Sequence, residues 1–100
     1  MTAAAALRRC RQAYTDTYTA FAQVEASSGQ VSNPDEVRAL CSSAYKSAMP
    51  PLTDWHSIRA HIACVSQALV LDVVSERDAK TLMFIAQTAL TTFAREKKTE

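Results

Sequence analysis

A single glycine, Gly29, stands in this chain of one hundred residues. One glycine cannot build a nucleotide-binding loop, where several successive backbone N–H groups must turn toward a phosphate. Prolines number three, at positions 34, 50 and 51, so there are few places for a helix to break. The cysteines, Cys10, Cys41 and Cys64, are odd in number and lack CxxC spacing. They read as buried thiols in a reducing compartment rather than as a disulfide framework. Charge of one sign is also missing: eleven basic residues face ten acidic ones, for a formal net charge of +1. With neither a basic block nor an acidic tail, long-range attraction to nucleic-acid phosphates is weak. The longest strongly apolar run, Ala68–Val74, is interrupted by Asp72 and too short to span a bilayer. In "MTAAAALRRCRQAY" the arginines follow the apolar run, the reverse of a secretory signal. A cytoplasmic location is expected.

What remains is helical punctuation. Thr2 is a suitable N-cap, and apolar or small residues at Ala3, Leu7, Cys10, Tyr14, Thr17, Phe21 and Val24 recur every three or four positions up to Gly29. "NPDE" opens a second helix with Asn33 as cap and Pro34 at the first helical position; Pro50 and Pro51 close it. Thr53 is expected to cap the third. There Trp55, Ile58, Ile62, Val65, Leu69 and Val73 form one stripe thickened on both sides, the pattern of a central helix with Trp55 anchored in the core. A fourth begins after Ser75, carries Ala79, Leu82, Met83, Ala86, Ala89, Leu90 and Phe93 inward, and frays in "REKKTE". The spacing therefore predicts one all-α domain over 1–100, a small four-helix bundle with short connections and helices at about 3–28, 34–48, 54–73 and 76–97.

Chemistry-bearing side chains gather only in "SAMPPLTDWHSIRAHIACV". His61 and Cys64 share a helical face, whereas His56 lies roughly 140° away at about 3.6 residues per turn. A structural zinc site needs four ligands and a catalytic one three plus water. Completing either would require Cys10 or Cys41, both of which the helix stripes claim for the core. The expected reading is buried thiols and a surface histidine, with no metal and no cofactor. Cys64 and His61 also lack a loop that would present a nucleophile, so no catalytic residue is assigned and an enzyme is not expected. Asp72, Glu76 and Asp78 read as caps at the corner between helices three and four.

The binding candidates are Arg8, Arg9 and Arg11, three cations near the start of a helix whose dipole does not favour them there, and His56 and Arg59, which point outward from helix three. The outward faces are otherwise short of charge: Thr15, Thr19, Ala22 and Ala26 on helix one, Thr81, Gln87, Thr88, Thr91 and Thr92 on helix four. Low charge with Arg, Tyr and Trp nearby is the composition of a protein interface.

Through "AMPPL", "IRAHIACV" and "AQTAL", spanning Ala44–Leu90, the chain resembles uncharacterised small helical bacterial proteins. That resemblance implies a bacterial or mobile-element origin and transfers no catalytic residue. The expected function is non-enzymatic binding of a protein partner by covering its surface, as an inhibitor or adaptor; small inhibitors of the anti-CRISPR kind offer an analogy in size and architecture. Homodimerisation is a further partner mode. The alternative is a small DNA-binding regulator using the Arg8–Arg11 cluster or a helix-turn-helix-like corner before Glu76. No membrane association is expected.

Overall fold

The computed structural model describes residues 2–99, with side chains described through Arg95. Four helices follow in order: α1 (Ala3–Ser28), α2 (Pro34–Ala48), α3 (Trp55–Val70) and α4 (Glu76–Thr99). The protein is all-α, a small four-helix bundle with short connections, as the periodicity predicts. No strand occurs among the described residues.

The ends of the helices follow from local hydrogen bonding. Thr2 Oγ1 accepts the Ala5 N–H at 3.1 Å to start α1, and Gly29 ends it in the left-handed region at φ 71°, donating its N–H to Glu25 O at 2.9 Å. Asn33 Oδ1 accepts from Asp35 N–H at 2.9 Å to start α2. Ser75 Oγ accepts from Asp78 N–H at 3.1 Å at the head of α4. The α4 backbone continues to Thr99, two residues past the expected end; Glu100, the last of the tail expected to fray, lies outside the described residues.

Helix α3 differs from expectation at both ends. Its cap is Asp54 rather than Thr53: one carboxylate oxygen accepts Ser57 N–H at 2.9 Å and the other the Ser57 hydroxyl at 3.2 Å. These bonds hold the Asp54 carboxyl below the usual carboxylate range. At the other end α3 stops at Val70, three residues early, because Asp72 turns left-handed at φ 59°. Val73 N–H then reaches Ala68 O at 2.8 Å and Asp72 N–H reaches Leu69 O at 3.2 Å, the paired bonds of a Schellman ending. Val73 is thus folded back onto the core beside Ala68 instead of extending the helical stripe.

Helix α1 packs against both α2 and α3, and α4 packs against α3. Helices α1 and α3 start at the same end, where Thr2 and Asp54–Ser57 border one open depression. Their contact uses small residues, Ala6 and Cys10 against Ala60, Cys64 and Ala68, all almost completely buried, which permits close approach of the two axes. From α2, Tyr45 fills the junction; Ser42 Oγ donates to Val73 O, and Lys46 lies 3.9 Å from Asp78.

This core serves only part of the molecule. In the 26-residue α1, only Ala6 and Cys10 are fully buried, both in its first three turns. The Cα extents are 61 × 26 × 17 Å and the radius of gyration is 16.1 Å, against about 13 Å for a compact domain of this length. Accessible surface is 6952 Å², whereas the scaling for a folded monomer of this mass gives roughly 5,600 Å². The bundle is therefore open and elongated.

Candidate interaction surface

The side chains with the most reactive chemistry lie inside the junction. Cys10 Sγ contacts Cys64 Sγ at 3.7 Å, and the Tyr45 hydroxyl donates to Cys64 O at 2.7 Å. Burial, then the neighbouring Cys10, pushes the Cys64 thiol up to about 12; burial also raises Cys10, Cys41 and the Tyr45 phenol. Thiols held protonated this way are poor nucleophiles and poor metal ligands. All three cysteines are free and buried. Among the described residues no group of three or more His, Cys, Asp or Glu side chains is arranged to hold a metal ion.

His61 corrects one expectation. It is not a surface residue but only 8 % exposed. Its Nδ1 lies 2.9 Å from Pro50 O and must carry the hydrogen, since a carbonyl can only accept. Nε2 has no hydrogen-bond partner among the described residues. The diproline segment that closes α2 turns its carbonyl inward over α3, and sequence spacing alone does not reveal that cover.

The five residues singled out for binding, Arg8, Arg9, Arg11, His56 and Arg59, are all exposed. The parallel start of α1 and α3 places Arg8, Arg9, His56 and Arg59 in the opening turns of adjacent helices at one end of the bundle, whereas Arg11 lies apart from them, beside Tyr45, Leu71 and Val73 where α3 ends. The four arginines have no carboxylate within ion-pair distance among the described residues; the ion pairs described there, Lys46–Asp78 and Glu76–Lys80, lie at the opposite corner. Trp55 joins this end. Expected in the core, it is 44 % exposed, because α3 begins at Trp55 itself and its first turn borders the open depression.

Two apolar surfaces were not anticipated in full. Between the far half of α1 and the start of α2, Tyr18, Phe21, Ala22, Val31, Pro34 and Val37, together with the polar Glu25 and Ser32, line a depression of about 220 Å³. On α4, Phe84 is 70 % and Ile85 48 % exposed. The signal for the second was present: both are large apolar residues that fall outside the inward series from Ala79 to Phe93. The neutral faces expected at Thr15, Thr19, Ala22 and Ala26, and at Thr81, Gln87, Thr88, Thr91 and Thr92, are exposed throughout.

Comparison of the chain with protein-family models, with curated proteins and with solved structures finds no match in any of the three. No helix is long and apolar enough to cross a membrane among the described residues.

Proposed function

We propose that the protein is a non-enzymatic binding module, of bacterial or mobile-element origin, that acts by covering a surface on an acidic protein partner. The observation that carries this reading is the end where α1 and α3 begin. Arg8, Arg9 and Arg59 stand in the opening turns of these helices without carboxylate partners among the described residues, and Trp55 is half-exposed at the same end. Arginine and tryptophan are the residue types that concentrate binding energy in protein interfaces, and an arginine fork meets a carboxylate with two parallel hydrogen bonds. A partner that supplied carboxylates around an apolar pocket would complete both sets of contacts at once. The mode of action is occlusion, in the manner of small inhibitors and adaptors.

The test is affinity capture from bacterial lysate, with and without nuclease, using the native chain and the variants Trp55→Ala and Arg8→Glu/Arg59→Glu. The expected result is a stoichiometric protein retained through nuclease and lost from both variants while their helicity is unchanged. Recovery that disappears with nuclease would transfer the arginines to nucleic-acid binding, and capture indifferent to both variants would remove this end of the bundle from the interface.

A further inference from the structure

From Thr81 to Ala94, α4 carries no charged residue, an uncharged length of about 21 Å at 1.5 Å per residue. One side of it packs on α3 through Ala79, Ala86 and the half-buried Leu82, Met83, Leu90 and Phe93. The other side repeats the same helical spacing at Thr81, Phe84, Thr88 and Thr91, with Ile85 and Thr92 beside them, and all six are exposed. A helix apolar on one face needs one packing partner; this one has two faces fit for packing and, among the described residues, packs on α3 alone.

The four threonines on that outer face are less polar than their names suggest. Thr81 Oγ1 donates to Arg77 O at 3.2 Å, Thr88 to Phe84 O at 2.9 Å, Thr91 to Gln87 O at 3.0 Å and Thr92 to Thr88 O at 3.0 Å. Each hydroxyl is satisfied within its own helix and leaves its methyl group available for contact, so covering this face strands no donor.

We infer that this face of α4, centred on Phe84, Ile85 and Thr88, is the contact surface for a second copy of the chain. Two observations select that occupant. The first is area. The protein exposes roughly 1,400 Å² more than a compact monomer of its mass, and a standard interface needs about 800 Å² from each partner. That surplus belongs to the whole elongated chain and not to α4 alone, and it is large enough to leave room for one such interface. The second is charge. In a twofold contact the same patch meets itself, so any charged residue near the axis faces its own copy. A face without charge over four helical turns satisfies that condition, whereas the arginine-bearing end of the bundle would repel itself. The two α4 helices run antiparallel about Thr88, so that Phe84 and Ile85 of one copy sit against Thr92 and Thr91 of the other, and the opposed helix dipoles are favourable. This face is separate from the arginine-rich end and does not depend on the function proposed for it.

Sedimentation equilibrium of the full chain tests the assignment, at about 100 µM and at serial dilutions that span a dissociation constant of ~1 µM. The expected mass is twice 10.9 kDa. Phe84→Glu/Ile85→Glu is expected to weaken the dimer by at least about 30-fold with unchanged far-ultraviolet circular dichroism, since both side chains are exposed in the single chain. Thr88→Cys is expected to give a disulfide-linked dimer under mild oxidation, while the buried native thiols stay unmodified. A monomer at the highest concentration would overturn the inference. So would a dimer indifferent to the double glutamate variant, because that dimer would use another face.

Discussion

The junction of α1, α2 and α3 and the outer face of α4 are built from similar materials and behave as opposites. Both are poor in charge and rich in small or hydroxyl-bearing side chains. At the junction, Ala6, Cys10, Ala60, Cys64 and Ala68 let two helices close on each other, and Tyr45 seals the gap with its hydroxyl on Cys64 O. On α4, Thr81, Thr88, Thr91 and Thr92 accompany two large apolar side chains, Phe84 and Ile85, that the described residues leave 70 % and 48 % exposed. Small neutral surfaces invite close packing in either place. What differs is whether the chain itself supplies the opposing helix.

Replacing the largest fully buried side chain against replacing the most exposed ring on α4 gives the widest contrast. Tyr45→Ala is expected to cost about 3–5 kcal/mol, through lost burial and the cavity left behind. That is a large share of the ~5–15 kcal/mol that holds an ordinary domain together. Phe84→Ala is expected to change the stability of the single chain by less than about 0.5 kcal/mol. Urea denaturation at a concentration below dimerisation reads both. A comparable loss at Phe84 would mean that α4 turns its outer side onto the rest of the chain.

Much of this contrast is legible in the sequence, and the exceptions have physical causes. Gly29, Asn33, Pro34 and the diproline define α1 and α2 to the residue, because each acts locally, Asn33 through its side-chain cap and the others through their own backbone conformation. The cysteines are buried as their stripes predict. The end of α3 departs from the spacing because Val73 satisfies the helical period while Asp72 leaves the helix; aspartate in the left-handed region is an option that hydrophobic spacing does not register. Trp55 and His61 exchanged their expected environments for a tertiary reason. Burial at the start of α3 depends on what lies over it, and Pro50 covers His61 while the first turn stays open. The arginines are legible as exposed, but that Arg59 comes to the same end as Arg8 and Arg9, and that Arg11 stands instead beside Leu71 and Val73, follows from the parallel start of α1 and α3.

A subtler probe of the junction is Tyr45→Phe, which keeps the ring and removes the 2.7 Å bond to Cys64 O. The expected loss is about 1 kcal/mol, the net worth of an intramolecular hydrogen bond. Alkaline pH examines the same region without mutation. An unfolded cysteine ionises near 9, but Cys64 in the folded chain holds its proton up to about 12. Between those values the unfolded chain has released a proton that the folded chain retains, so stability present below pH 9 is lost as the pH rises toward 12. The raised Tyr45 phenol acts in the same direction above its ordinary value of 10. Urea midpoints are expected to fall steadily across that window, and Cys64→Ala should flatten the first part of the fall. The α4 face contains no titrating group from Thr81 to Ala94 and adds nothing to the slope.

The smallest expected effects concern the two left-handed corners that hold these regions in register. Gly29 has φ 71° and open space around the position of a Cβ, so Gly29→Ala meets only its own backbone and is expected to cost about 1 kcal/mol. Asp72 occupies nearly the same conformation at φ 59° with a side chain already in place. Aspartate tolerates this region better than most residues, and Asp72→Gly would relieve what strain remains. Glycine also frees the unfolded chain, an opposing effect of about 0.5–1 kcal/mol. The two contributions nearly cancel, and a net change within about 0.5 kcal/mol of zero is expected. A clear gain in the urea midpoint would show that the α3–α4 corner is held under strain; a clear loss would show that the Asp72 side chain contributes to the corner beyond its backbone angle.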